Sequence, residues 1–166
     1  GTNGIPTSHT VEVYSNLTGS WSSPYPNIST ETMWSFTACY AKVNAEPRIY
    51  FCGTSFAETL CHYLSLTTKI WTKIASMSIF RLASAGVLLP DGKTFAICGG
   101  FNEYSGLTVS SCEKMDFATL NFTNLADMLK PRGYHASVLF NGKAIVIGGI
   151  ISNGTSSVYL FSCEEY

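Results

Sequence analysis

Ser111-Cys112-Glu113-Lys114-Met115 returns 51 residues later as Ser162-Cys163-Glu164-Glu165-Tyr166, and Val11-Glu12-Val13-Tyr14 fits the same slot near the amino end. Working outward, Trp21, Trp71 and Phe122 are spaced by 50 and 51 residues, and Val11, Cys61, Cys112 and Cys163 by 50, 51 and 51. A second register agrees, because Met77 and Arg81 keep the same internal spacing as Met128 and Arg132. A fixed period of this length marks a repeat architecture, in which each unit buries its apolar face only by stacking on a neighbour.

Within a period, short apolar runs alternate with Gly and turn residues, and no helical periodicity is long enough to compete. One period is therefore one four-stranded antiparallel sheet. In the first, strands a to d are expected at 36–43, 48–52, 59–66 and 70–74. In the second they are expected at 83–89, 94–98, 108–115 and 120–123, with a turn at Pro90-Asp91-Gly92 and a break at Gly99-Gly100. The third repeats the order at 134–140, 143–147 and 157–164, around Asn141-Gly142 and Gly148-Gly149, and then stops. Asn-Gly and Asp-Gly signal hairpins because both supply the positive φ angles of tight turns.

The Met-x3-Arg lead-in, the Gly pair ending strand b and the aromatic on strand d resemble the kelch repeat, over nearly the whole chain. The stretch Leu88-Leu89-Pro90-Asp91-Gly92-Lys93 is similar to the kelch propellers of galactose-oxidase-like proteins. The resemblance implies an all-β fold of three propeller blades, divided as an amino-terminal c/d segment (1–30) and blades at 31–77, 78–128 and 129–166, the last without strand d. The first period departs most, with Gly53-Thr54 in place of a Gly pair and Ser35 where the others have Arg.

A propeller closes with about four to eight blades, and an open arc of three leaves apolar faces in water. The amino end offers a c-like segment containing Val11, Val13 and Tyr14 and a d strand around Trp21, while the carboxyl end stops after Cys163 and Tyr166 on strand c. Three blades are too few for one chain's ends to meet, so the amino-terminal strand is expected to complete the last blade of another copy, head to tail. Such contacts give a ring if the rotation closes and a filament if it does not. A competing reading is a piece of a longer propeller or one unit of a tandem array.

The 166 residues, 46% hydrophobic and 13% aromatic, suffice for a packed core. A net charge of -1 supplies no field for nucleic acid, and no apolar run approaches the ~20 residues of a membrane helix. Gly1-Thr2-Asn3-Gly4 lacks the basic and apolar regions of a signal peptide, so the chain reads as a mature or excised piece. Six cysteines, Cys39, Cys52, Cys61, Cys98, Cys112 and Cys163, and four Asn-x-Ser/Thr triplets at Asn16, Asn27, Asn121 and Asn153 point outside the cell. Cys61, Cys112 and Cys163 share a strand-c position, and Cys52 and Cys98 share the end of strand b. About fifteen pairings of six cysteines exist, and spacing does not choose among them. One option joins Cys163 to Cys39 of the next copy; buried unpaired thiols are the alternative.

No catalytic constellation emerges. His9, His62 and His135 are scattered over different strands, and no Cys-x2-Cys or close His pair suggests zinc. Arg132-Gly133-Tyr134-His135 is similar to a stretch in which copper radical oxidases place a copper-binding His, yet no second His or Tyr–Cys pair is identifiable. Glu113 and Glu164 hold a repeated position that Glu12 shares, which favours architecture over acid–base chemistry. The reading is a secreted, non-enzymatic structural or binding module without cofactor, whose expected partners are other copies of itself, with glycans or extracellular proteins as further candidates. Loops around Phe101, Asn102, Tyr104, Ile151 and Asn153 are the ligand-contacting candidates, with a lectin-like propeller or an oxidase fragment as alternatives.

Overall fold

The computed structural model describes residues 10–28, 35–54, 58–102 and 104–166, and among these no residue is helical. An amino-terminal ribbon pairs β1 (Val13–Ser15) with β2 (Ser20–Ser22). The first sheet runs β3 (Ser35–Val43), β4 (Glu46–Thr54), β5 (Thr59–Ser65), β6 (Trp71–Ile74) in that order. The second is β7 (Ala85–Leu88), β8 (Thr94–Cys98), β9 (Cys112–Asp116), β10 (Phe122–Leu125). The third has three strands, β11 (Ala136–Phe140), β12 (Lys143–Ile147) and β15 (Cys163–Glu165), and carries a separate ribbon of β13 (Ile150–Ser152) and β14 (Ser157–Tyr159). All pairs are antiparallel neighbours, as in kelch propeller blades.

Local chemistry makes the hairpins. Asn141 and Gly142 both take positive φ (49° and 73°) in the two-residue loop between Phe140 and Lys143, the geometry that matches strand twist. In the second sheet the Asp91 carboxylate accepts hydrogen bonds from the Lys93 and Thr94 amides (2.8 and 3.0 Å) and the Thr94 hydroxyl (2.8 Å), closing the longer Pro90–Lys93 connection.

Three sequence expectations need correction. Strand c of the second sheet begins at Cys112 rather than 108, because Thr108 turns sideways and pairs with the next sheet's loop: its amide donates to Ser152 O at 3.1 Å. The expected strand at 157–164 is two strands, broken where the Arg132 guanidinium takes the Ser162 carbonyl (2.9 Å). Pairing Thr37 with Cys52 and Ala85 with Cys98 aligns Ser35 with Ala83, so the position matching Arg81 is residue 33, outside the described residues.

The core lies between sheets. Ala41, Tyr50, Cys52 and Cys61 of the first meet Phe95, Ile97, Met115 and Phe117 of the second, with Met77 between them. Tyr50 stacks on Phe117, ring centroids 4.4 Å apart. The second interface is thinner: Val87, Leu89 and Ala96 meet Ala144. By register Ala96 stands where Tyr50 does, and Ala144 where Phe95 does, so two large side chains worth about 1.5–3 kcal/mol each are replaced by methyl groups. A groove of about 410 Å³ results, lined by Leu89, Leu125, Met128, Ala144, Val146 and Tyr166 among others. The outward faces at both ends stay open: Phe36 and Tyr40 on the first sheet, Val138, Phe140 (60% exposed) and Ile147 on the third.

Candidate functional site

A repeated buried ion pair ties strand c of the second and third sheets to the lead-in before each; in the first sheet His62 stands where they have Glu. Arg81 Nε and Nη2 donate to one oxygen of Glu113 (3.2 and 3.1 Å), Nη1 to the carbonyls of Gly99 (3.0 Å) and Ser111 (2.6 Å), and Nη2 also to the Ser111 hydroxyl (3.0 Å). Arg132 repeats the set on Glu164, Gly148, Ser162 O and Ser162 Oγ. The reach to Gly99 and Gly148 depends on the Gly pairs, whose four residues all hold positive φ. Burial raises the Glu164 carboxyl pKa, but the Arg132 hydrogen bond and the Leu129 and Lys130 amides outweigh it and hold the group below the ordinary carboxylate range. The sequence reading noted these Arg and Glu residues separately and missed that they pair; their constant separation of 32 was the available signal.

These clamps orient strand c, and in the third sheet strand c is an edge. Tyr166 N donates to Ala144 O (2.8 Å) and Ala144 N to Tyr166 O (3.2 Å), so residues 164 and 166 turn their backbone toward β12. Alternation then points the amides and carbonyls of Cys163 and Glu165 away from the sheet. In the second sheet the corresponding groups of β9 bond to β10. The edge of β15 is therefore a row of strand-pairing groups with no strand on it among the described residues.

Two disulfides, Cys52–Cys61 and Cys98–Cys112, each bridge strands b and c of one sheet. In the third sheet that slot holds Ile147 opposite Cys163, which leaves Cys163 a free, exposed thiol. Cys39 is also free, and burial pushes its thiol up to about 12. The idea that Cys163 joins Cys39 of another copy fails on geometry. Cys39 packs against the core between the first two sheets, the opposite side from the open face of the first sheet.

The amino-terminal candidates form their own unit. Val13 pairs with Ser22 and Tyr14 with Trp21, whose ring lies 5.4 Å from that of Tyr14 and which is 67% exposed. Val11 precedes this ribbon, and its carbonyl accepts from Ser23 Oγ (2.9 Å). The ribbon pairs with no other described strand.

Of the loop candidates, Phe101 and Asn153 take part in contacts between sheets, Asn153 through a bridge to Leu107. Phe101 exchanges backbone hydrogen bonds with Leu82 (2.7 and 3.0 Å) and sets its ring 5.2 Å from Tyr134, over Gly133. Asn102 Oδ1 accepts from the Tyr104 and Ser105 amides, and Asn153 Oδ1 from the Thr155 and Ser156 amides. Ile151 pairs with Val158, and Tyr104 is exposed. Asn16, Asn27, Asn121 and Asn153 are all exposed. His62 and His135 lie in different sheets, and His9 is outside the described residues. Both ring nitrogens of buried His135 have no hydrogen-bond partner; burial, reinforced by Arg132, pushes its pKa down to about 4. Among the described residues no three His, Cys, Asp or Glu side chains gather as a metal set would.

A Kelch motif model matches residues 131–166, the segment that contains the Arg132–Glu164 clamp. No curated protein matches the sequence. Among 148 similar solved chains, the structure of YjhT aligns with a TM-score of 0.59 at 23% identity, over 73% of this chain and 35% of that one. The chain thus spans about a third of the length of YjhT, and the likeness is one of fold. With its repeated antiparallel sheets, their Arg–Glu clamps and this match, the chain has the fold of kelch-type β-propeller blades, and residues 131–166 carry a Kelch motif.

Proposed function

We propose that the chain is a non-enzymatic extracellular module that joins copies head to tail, the open edge of β15 being completed by β2 of another copy. The edge of β15, unoccupied among the described residues, carries this reading. Its spacing supports it: Trp71 to Ala85 and Phe122 to Ala136 are each 14 residues, and Trp21 to Thr37 is 16, so β2 precedes the first sheet as β6 precedes the second and β10 the third. A copy delivering β2 to β15 brings its own first sheet, with Phe36 and Tyr40, over the open face that holds Val138, Phe140 and Ile147. Two disulfides and four exposed sequons fit an oxidising compartment.

Glu165→Pro tests the reading, because it deletes an outward amide of β15 and leaves the β12 ladder intact. Sedimentation velocity should show a concentration-dependent oligomer for the wild type and a monomer for Glu165→Pro. A monomeric wild type at every concentration would defeat the reading. Exposed Tyr104 and Tyr134 beside the joined loops favour a second reading, carbohydrate binding at that rim, for which retention on a glycan column is the test.

A further inference from the structure

We infer that β1 is an internal stand-in for β15: the two compete for one edge of β2, and β2 leaves β1 when it moves to another copy, taking Trp21 into the groove between the second and third sheets. This rests on the assembly reading above.

The competition follows from register. Leu64 faces Trp71 in the first sheet and Met115 faces Phe122 in the second. Carried forward by the same period, Tyr166 faces the aromatic of the strand that completes the third. In the ribbon, Tyr14 faces Trp21. β1 thus occupies the place of a strand c beside β2, with Val11, Glu12 and Tyr14 where β15 has Cys163, Glu164 and Tyr166. A strand d has one partner in the second sheet, β10 pairing with β9 alone. In the register the repeats dictate, β2 cannot hold β1 and β15 together.

The groove supplies the preference. In the second sheet, Phe117, Leu120 and Phe122, from the turn between strands c and d and from strand d, pack into the interface with the first sheet. In the third sheet Tyr166, the counterpart of Met115, lines the corresponding groove together with Leu125 and Val146. An incoming β2 sets Trp21 beside Tyr166 in that groove, exchanging a largely exposed indole for a buried one, while β1 offers it Tyr14 on a two-stranded ribbon. Short ribbons are marginal in water, so the exchange costs little on the donor side.

Stapling the ribbon separates the alternatives. In a Cys39→Ala, Cys163→Ser background, Val13→Cys with Ser22→Cys places two thiols on opposed residues. The oxidised staple should raise the concentration at which copies associate by at least about tenfold, and Val13→Pro, which removes an amide that β1 turns toward β2, should lower it by about tenfold. In the wild type, association should shift tryptophan emission to shorter wavelength, and in the staple it should not. If the stapled chain associates like its unstapled background, the ribbon enters whole and the inference is wrong while the assembly reading stands. If wild type, background and Val13→Pro all remain monomeric, the assembly reading fails and the inference with it.

Discussion

Replacing Arg81 with leucine removes one partner of an ion pair whose side chains are 1% and 3% exposed. Glu113 keeps the Ser78 amide at 2.8 Å but loses both guanidinium contacts, and the carbonyls of Gly99 and Ser111 lose the donor Nη1. An uncompensated buried charge of this kind costs about 3–5 kcal/mol. In a chain of this size about 2–4 °C of Tm accompanies each kcal/mol, so unfolding should fall by roughly 6–20 °C. Urea titration followed by far-UV circular dichroism should show the midpoint falling with an unchanged slope. The double substitution Arg81→Leu, Glu113→Leu should recover a large part of the loss, because it removes the stranded carboxylate as well. A single substitution costing under about 1 kcal/mol would refute the claim that this clamp holds strand c to its lead-in.

Peptide mapping without reductant should find Cys52–Cys61 and Cys98–Cys112. Cys163 should alkylate within the time that leaves Cys39 untouched, because burial holds the Cys39 thiol protonated with a pKa of about 12. Losing either disulfide should cost about 3 kcal/mol by the chain-entropy model, measured on paired Cys→Ala variants. The folded state holds His135 neutral down to about pH 4, whereas the unfolded chain protonates it near 6.5. Its contribution is complete above pH 6.5 and is lost as pH falls toward 4, by about 3 kcal/mol, and His135→Gln should flatten stability in that window. Gly133→Ala should destabilise by about 1–3 kcal/mol, since a Cβ there would overlap the Phe101 ring, and calorimetry would register the drop.

The sheets were legible because their punctuation is local. Strand b of the second and third sheets matches the expected 94–98 and 143–147, bounded on one side by turn residues and on the other by a Gly pair. Strand c was misplaced where a neighbouring sheet decides the pairing: Thr108 bonds to Ser152, a contact between periods that no pattern within one period encodes. The Arg–Glu clamps were hidden for the same reason, since the partners are 32 residues apart and meet only after strands a to c are stacked. The phase of the repeats pointed to β15 as an edge strand and to β2 as a strand d; only the pairing of Tyr14 with Trp21 shows that β1 already holds β2. The empty disulfide slot needed strand register as well, because Ile147 gives no sign in the sequence that it stands opposite Cys163.

Amide hydrogen exchange at Cys163 and Glu165 reads the edge of β15 itself. If another copy's strand completes the third sheet, both amides should be protected, and the protection should grow with protein concentration; in the oxidised ribbon staple, whose background carries Cys163→Ser, the amides at positions 163 and 165 should lose it. Exchange at the rate of free amides across the whole concentration range would contradict the account.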